Sequence, residues 1–284
     1  MVSTETDRVK YTRLIACIHT HGAAALAVSG GVDSLLVLHA AREALGDDII
    51  ALTATGSLFD PGEVTRAAEE AGRLGVRHAE IPFDPFSTGG LAANGPDRCY
   101  LCKRRLFDTI LDAARGEGFR IVMDGTNADD PDDYRPGIRA LEELGIVSPL
   151  LEAGLGKEDV RGISRMLGIE GADRPAKACY ASRFPYGERI TPGGLERVRR
   201  GEAALSGMGF VQYRVRSHGD VARVEIAPDE MDRALRLDVA AAISRRLKEA
   251  GFLYVALDLD GYRTGSLNAS LDGKAARGDD TKKE

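Results

Sequence analysis

The sequence has few of the features that mark secreted, membrane-spanning or nucleic-acid-binding proteins. Its 284 residues include four cysteines and no tryptophan, and no apolar run approaches the roughly 20 residues that span a bilayer. Residues 1–10 are polar and lack the apolar core of a signal peptide. So few cysteines in a reducing compartment are not expected to form disulfides. We therefore expect a cytoplasmic protein without a membrane partner.

Positive charge is not in excess either. The formal net charge is −6, which argues against a large nucleic-acid surface and predicts no nucleic-acid partner. The composition, 43% hydrophobic and 29% charged, is typical of a globular protein. The length allows one large domain and a smaller one.

The most informative segment is Leu-Ala-Val-Ser-Gly-Gly-Val-Asp-Ser, residues 26–34. A strand over Leu26–Val28 is predicted to end in Ser-Gly-Gly, with a helix from about Asp33. Adjacent glycines let backbone N–H groups approach a ligand closely, and a helix N-terminus attracts phosphate. No Gly-Lys-Ser/Thr follows, so the segment is not a Walker A loop; an ordinary strand-to-helix turn is the alternative. The residues predicted to bind the nucleotide here are Ser29, Gly30, Gly31, Val32, Asp33 and Ser34.

Strand-like and helical patterns alternate through the first two-thirds of the chain. This rhythm predicts an α/β fold, a parallel sheet with helices on both faces. Ligands of such sheets bind at the carboxyl ends of the strands. Two further polar segments, Thr53–Gly56 and Asp124–Asn127, fall at such ends. The binding residues predicted from them are Thr53, Gly125, Thr126 and Asn127.

The pattern changes in the irregular segment 171–195, which is rich in proline, glycine and arginine. Irregular chain of this length is usually functional or mobile. Helices, including one over Pro228–Glu249, and alternating strands then predict a small α+β domain. We predict a nucleotide domain over 1–170, a cysteine-loop and substrate domain over 171–269, and a disordered tail over 270–284.

Three cysteines stand where chemistry is expected. Cys99 and Cys102 form a C-x-x-C pair at a helix start, and Cys179 lies in the irregular segment. A thioredoxin-like pair would follow a strand directly, whereas this one follows a polar loop. A structural zinc site needs four ligands, but Cys17 lies in an apolar helix pattern and is expected in the core. Three thiolates suffice for a [4Fe–4S] cluster whose fourth iron is open and could hold sulfide.

Several segments between about residues 10 and 267 resemble, in order, the LarE family of PP-loop ATP pyrophosphatases. That resemblance implies adenylation of a carboxylate of pyridinium-3,5-biscarboxylic acid mononucleotide by ATP, followed by sulfur delivery that gives a thiocarboxylate. Some members sacrifice the sulfur of one cysteine, at the position of Cys179; others hold a [4Fe–4S] cluster on three. The matching segments are Ser29–Ser34, Cys99–Lys103, Asp124–Asn127 with Asp129 and Asp130, Cys179–Gly187, Tyr213–Arg216 and Gly261–Gly265.

The resemblance also implies roles for single residues. With Cys99 and Cys102 present, the chain resembles the cluster type, with Cys99, Cys102 and Cys179 as ligands. Asp33 is expected to help hold Mg²⁺ or to orient the loop, and a role as a helix cap is an equally weighted alternative that is compatible with both. The substrate carries a phosphate and two carboxylates, which arginines bind bidentately. The predicted catalytic set is Ser29, Asp33, Ser34, Cys179, Arg183, Arg214, Arg216 and Arg263, with Glu202 and Glu225 as weaker acidic candidates and His218 as a hydrogen-bonding residue.

Several questions stay open at this point. The sulfur source is unknown, and a homo-oligomer is expected only because family members associate. Glu225 alternates with Val224 and Ile226, so it could equally be the exposed face of a strand. A tRNA-thiolating enzyme shares the loop and the cysteines but should be basic. An ammonia-using amide synthetase or an ATP-binding regulatory module would explain the loop and leave the cysteines without a role.

Overall fold

The computed structural model describes residues 2–87, 90–130, 136–172 and 178–263. The chain divides into two compact units: residues 1–89 with 97–177, and residues 90–96 with 178–284. The predicted tail, 270–284, lies outside the described residues. Within the described ranges, no helix is both long and apolar enough to cross a membrane.

The first unit is built on a four-stranded parallel sheet of order β3-β2-β1-β4. This confirms the predicted α/β class. Its strands are β1 (Ala24–Ala27), β2 (Ile49–Thr55), β3 (Arg77–Pro82) and β4 (Ile121–Met123). Its helices are α1 (Val2–His21), α2 (Val32–Leu45), α3 (Pro61–Arg73), α4 (Arg98–Gly116), α5 (Pro136–Glu143), α6 (Pro149–Glu152) and α7 (Lys157–Leu167).

Alternate residues of the central strands enter two separate hydrophobic cores. In β1, Leu26 packs into a core with Leu14 and Leu35, whereas Ala25 packs into another with Phe107. The first core contains residues of α1, α2, α3 and α7, and the second contains residues of α4 and α5. Helices therefore cover both faces of the sheet, which leaves the strand ends as the place for polar groups.

The second unit contains a three-stranded sheet of order β5-β6-β7. Strand β6 (Val221–Ile226) pairs antiparallel with β5 (Tyr213–His218) and parallel with β7 (Tyr254–Leu257). Its helices are α8 (Pro192–Gly207), α9 (Met231–Ala234) and α10 (Leu237–Glu249), and it has 3₁₀ turns at Tyr180–Arg183 and Pro228–Glu230. The first unit has a 3₁₀ turn at Pro85–Ser87.

The continuous helix predicted over Pro228–Glu249 is wrong. The backbone is extended at Arg236 (ψ 133°), so α9 ends before it and α10 begins after it. Asp238 lies in the first turn of α10 and pairs with the Arg236 guanidinium at 3.1 Å. A carboxylate there favours a new helix N-terminus. The hydrophobic pattern shows no such break.

Candidate active site

The Ser29–Ser34 loop connects β1 to α2 as a closed turn. The Ser34 hydroxyl donates to the Gly31 carbonyl at 3.0 Å and accepts from the Ser29 N–H at 3.2 Å. The two serine hydroxyls lie 3.1 Å apart. The residue before α2 is Gly31, which offers no side chain to cap the helix. The N–H groups of the first turn are thus arranged to receive an anion.

Glycine is required at two points around this loop. Gly30 has φ +81°, and a Cβ there would lie 2.0 Å from the Glu63 carbonyl oxygen. A Cβ on Gly125 would lie 2.8 Å from the Ser34 backbone nitrogen. The chain after β4 therefore rests directly against the start of α2. Arg66 donates to the Gly30 carbonyl at 3.0 Å and ties the loop to α3.

Hydrogen bonds of two buried side chains, Asp124 and Asn127, fix the Asp124–Asn127 segment after β4. The Asp124 carboxylate is buried and accepts hydrogen bonds from the Thr126 hydroxyl at 2.6 Å and the Ser148 hydroxyl at 2.7 Å. Asn127 is buried, and its Oδ1 accepts from the Asp129 N–H at 3.0 Å. Its Nδ2 faces the Asp33 carboxylate but makes no close hydrogen bond to a described residue. A buried amide donor that is not fully satisfied is costly, so a ligand oxygen is a natural partner for it.

Asp33 faces a second carboxylate across the same site. Burial, and then the negative charge of Asp130, raise the pKa of Asp33 to about 6. The Asn127 amide beside Asp33 and the charges of Lys157 and Arg161 act in the opposite direction. Two neighbouring carboxylates next to an anion-binding loop form the hard oxygen set that Mg²⁺ prefers. The residues therefore fit a Mg–nucleotide complex.

Thr53 lies within β2, two residues before its end, and is buried. Its hydroxyl hydrogen-bonds the His78 Nε2 at 2.9 Å. Gly56, just past the strand, has φ +144°, and a Cβ there would lie 2.3 Å from the Phe83 carbonyl oxygen. The role of Thr53 in nucleotide binding stays a prediction.

Cys99 and Cys102 lie in the first turns of α4, three residues apart and hence on one face of the helix. Cys99 is exposed and Cys102 half-buried. None of the four cysteines, all within the described ranges, forms a disulfide. Helix N-termini favour thiolates, so the pair suits metal ligation.

Cys179 belongs to the second unit and is exposed, directly before the 3₁₀ turn Tyr180–Arg183. Its carbonyl accepts from the Ser182 hydroxyl at 2.9 Å and from Arg183 at 3.2 Å. The Arg183 guanidinium is 1% exposed and makes a two-pronged ion pair with Glu202, at 2.7 and 2.9 Å. Arg183 therefore orders the backbone that carries Cys179.

Arg214 and Arg216 lie on the same face of β5, because strand side chains alternate. Arg216 pairs with Glu225 at 2.8 and 3.0 Å and donates to the Ser182 carbonyl at 2.8 Å. Burial, and then the charge of Arg183, lower the pKa of Arg214. Glu225 is completely buried, so the alternative of an exposed strand face is wrong. We call five residues the buried arginine cluster, with three positive and two negative charges: Arg183, Arg214, Arg216, Glu202 and Glu225. Arg223, at the edge of the cluster and about one-third exposed, also pairs with Glu225 at 3.0 Å.

Arg263 lies outside this cluster. Its side chain is 60% exposed and pairs with Asp260 at 2.8 Å. His218, at the end of β5, accepts a hydrogen bond from Arg223 at 3.2 Å, as expected of a hydrogen-bonding residue. Glu202 and Glu225, by contrast, are both inside the cluster as arginine partners.

Sequence reasoning missed three supporting residues. Lys157, the first residue of α7, lies 3.9 Å from the Asp130 carboxylate. Arg66 holds the Gly30 carbonyl. Asn94 is fully buried with φ 55°, and its amide donates to the Pro185 carbonyl at 2.7 Å and the Glu188 carbonyl at 2.9 Å. Only Asn94 carries a signal, since asparagine tolerates left-handed turns.

The chain resembles known proteins over most of its length, although no family model matches it. It is 35% identical over 267 residues to the pyridinium-3,5-bisthiocarboxylic acid mononucleotide synthase of Lactiplantibacillus plantarum, covering 94% of this chain and 96% of that one. It is 42% identical over 248 residues to the uncharacterized protein slr1717 of Synechocystis, covering 87% and 92%. The tRNA-specific 2-thiouridylase MnmA of Azorhizobium caulinodans is 28% identical over 216 residues, covering 61% and 53%. The chain therefore belongs to the LarE family and is an ATP-dependent sulfur transferase of the PP-loop superfamily.

Proposed function

We propose that this chain adenylates a carboxylate of pyridinium-3,5-biscarboxylic acid mononucleotide with ATP and replaces one carboxylate oxygen with sulfur. The observation that carries the proposal is the Ser29–Ser34 loop, closed by the two serine hydroxyls and pressed against Gly125. The substrate class follows from the Lactiplantibacillus relative, which is a pyridinium-3,5-bisthiocarboxylic acid mononucleotide synthase.

The loop performs the first half of the reaction. A carboxylate is a poor electrophile, and attack of its oxygen on the α-phosphorus of ATP gives an acyl-adenylate and releases pyrophosphate. The N–H groups at the start of α2 and the hydroxyls of Ser29 and Ser34 hold the departing pyrophosphate. The Asn127 Nδ2, which makes no close hydrogen bond within the described residues, donates to the nucleotide.

Asp33 and Asp130 are the residues that would hold Mg²⁺. The ion offsets phosphate charge when bound. Without it, burial and the negative charge of Asp130 raise the pKa of Asp33 to about 6. Lys157 and Arg161 balance the remaining negative charge on this side of the loop.

The buried arginine cluster is the proposed anion site for the substrate. Arg183 donates two hydrogen bonds to Glu202, and Arg216 donates two to Glu225. Arg214 donates to the Tyr213 carbonyl at 2.7 Å and lies 4.9 Å from the Tyr262 ring. Arg183 and Arg216 repel its charge, whereas Glu202 attracts it. We assign Arg214 the direct contact with a carboxylate or phosphate of the substrate, because a guanidinium binds such groups with two parallel hydrogen bonds.

Cys99, Cys102 and Cys179 are the proposed ligands of a [4Fe–4S] cluster. Two observations support this assignment: Cys99 is exposed and Cys102 half-buried in the first turns of α4, and Cys179 is exposed before the Tyr180–Arg183 turn. When bound, the cluster would hold sulfide on its open iron and supply it as the nucleophile for the acyl-adenylate carbon. AMP would be the leaving group and would keep one oxygen of the original carboxylate.

The test is incubation of anaerobically purified protein with Mg-ATP and the biscarboxylated mononucleotide, followed by mass spectrometry of products and intact protein. The proposal predicts AMP, pyrophosphate and thiocarboxylate in equal amounts, with no change in protein mass. Arg214→Gln should raise the substrate KM at least tenfold. Protein that becomes lighter by one H₂S per product would make Cys179 itself the donor. AMP that forms only with tRNA would overturn the assignment.

A further inference from the structure

A second cluster of metal-binding side chains lies at the end of α1. Cys17 and His21 are four residues apart in the last turn and a half of α1, so they project from the same face. Glu152, the last residue of α6, meets both. The Cys17 thiol donates to the Glu152 Oε2 at 3.3 Å, and the His21 Nε2 lies 2.8 Å from the same oxygen.

The three ligand atoms are close to the spacing that a small tetrahedral ion requires, although the 2.8 Å between His21 Nε2 and Glu152 Oε2 is shorter than zinc ligands would be. Zinc binds sulfur at about 2.3 Å and nitrogen or oxygen at about 2.0–2.1 Å, which puts neighbouring ligands roughly 3.3–3.6 Å apart. Here all three ligand atoms lie within 4.8 Å of one another. Small rotations of the Glu152 and His21 side chains would complete the geometry.

The surroundings suit an ion with an open coordination position. The side chains of His21 and Glu152 are 24% and 42% exposed, so water reaches the cluster. Cys17 is half-buried, and the expectation that it belongs to the core is wrong. Burial and the neighbouring Glu152 carboxylate raise the pKa of Cys17 to about 11 in the absence of metal.

We propose that Cys17, His21 and Glu152 form a zinc-binding site, with water as the fourth ligand. Thiolate, imidazole and carboxylate are all zinc ligands, and the set differs from the cysteines assigned to sulfur transfer. Binding breaks the thiol S–H bond and releases one proton to solvent as the zinc–sulfur bond forms, with no change in oxidation state. The ion joins α1 to α6, whose preceding residue, Ser148, holds Asp124.

The experiment uses cobalt as a spectroscopic probe for zinc. The full-length variant Cys99→Ser/Cys102→Ser/Cys179→Ser keeps Cys17 as its only thiol, because the chain has four cysteines. Titration with Co²⁺ should give one equivalent of a thiolate-to-cobalt charge-transfer band and the visible bands of tetrahedral cobalt. Zinc should displace both. Adding His21→Gln or Glu152→Gln should weaken binding at least tenfold, and adding Cys17→Ser should abolish the charge-transfer band.

A second measurement does not need the variant with three cysteines replaced by serine. Zinc should raise the midpoint of thermal unfolding of otherwise wild-type protein more than that of Cys17→Ser, because ligands that bind only the folded state stabilise it. The proposal is overturned if the single-thiol variant, folded by circular dichroism, gives no charge-transfer band at stoichiometric cobalt. Equal zinc-induced shifts in wild type and Cys17→Ser would overturn it as well.

Discussion

Replacing Gly125 by alanine tests how the nucleotide loop is supported. The added Cβ would lie 2.8 Å from the Ser34 nitrogen and 3.0 Å from the Ser34 Cα. Both are backbone atoms at the start of α2, so no side chain can rotate out of the way. An ordinary contact begins near 3.4 Å, so the two segments must separate by about 0.6 Å.

That displacement acts on the groups that hold pyrophosphate. Forcing an extra methyl group into a packed site costs roughly 1–3 kcal/mol. If that cost destabilises the loop conformation that binds ATP productively, kcat/KM for ATP drops about 5- to 150-fold. A misplacement of about 1 Å can cost on the order of 100-fold, which agrees with the upper part of that range.

The assay is substrate-dependent pyrophosphate release, with thermal unfolding measured in parallel. The matched control is Gly72→Ala in α3, where an added Cβ meets nothing within 4 Å. This control should keep wild-type kinetics and equal or higher stability, because alanine favours helix. A folded Gly125→Ala protein with kcat/KM within twofold of wild type would refute the proposed support.

Four further substitutions test the ion pairs, the raised pKa of Asp33, the buried Asn94 amide and the proposed cluster ligand Cys99. Glu202→Gln leaves the buried Arg183 guanidinium without its counter-ion and should lower the free energy of unfolding in urea by about 3–5 kcal/mol; a loss under about 1 kcal/mol would contradict that pairing. Asp33 has a pKa of about 6 folded against 3.8 unfolded, so its ionisation lowers stability as pH rises between these values, and Asp33→Asn should flatten that decline in urea titrations at pH 4 and 7. Identical slopes would show that Asp33 is not the group concerned. Asn94→Ala removes the amide's hydrogen bonds to the carbonyls of the Cys179 segment and should cost about 2–3 kcal/mol, again by urea unfolding, whereas an unchanged value would show that the amide is not needed. Cys99→Ser should lose anaerobically bound iron and catalytic turnover, and retention of a full cluster would exclude Cys99 as a ligand.

The parallel sheet could be predicted because its strands are short apolar runs separated by amphipathic helices. The strand predicted over Leu26–Val28 overlaps the observed β1, and the helix predicted from about Asp33 is α2, which begins at Val32. The Ser29–Ser34 loop could be found because its glycines and serines are adjacent in sequence. Residues that act together within one turn are close in sequence, so their types and spacing can be recognised from the sequence alone.

The buried arginine cluster could not be predicted in this way. Glu225 has the alternation of an exposed strand residue, yet Val224, Glu225 and Ile226 are all fully buried, since β6 is a central strand covered on both faces. Its carboxylate is tolerated there because Arg216 and Arg223 both pair with it. Such pairings join distant segments, and no local spacing encodes them. The same holds for Cys17 and Glu152, which are 135 residues apart.

The most direct test of the central claim is an oxygen-transfer measurement. The biscarboxylated mononucleotide, labelled with ¹⁸O in its carboxylates, is incubated with the protein and Mg-ATP, and AMP is analysed by mass spectrometry. Adenylation of the carboxylate followed by sulfur attack at carbon predicts one ¹⁸O in the phosphate of AMP for each thiocarboxylate formed. Unlabelled AMP, or ADP in its place, would contradict carboxylate adenylation by this chain.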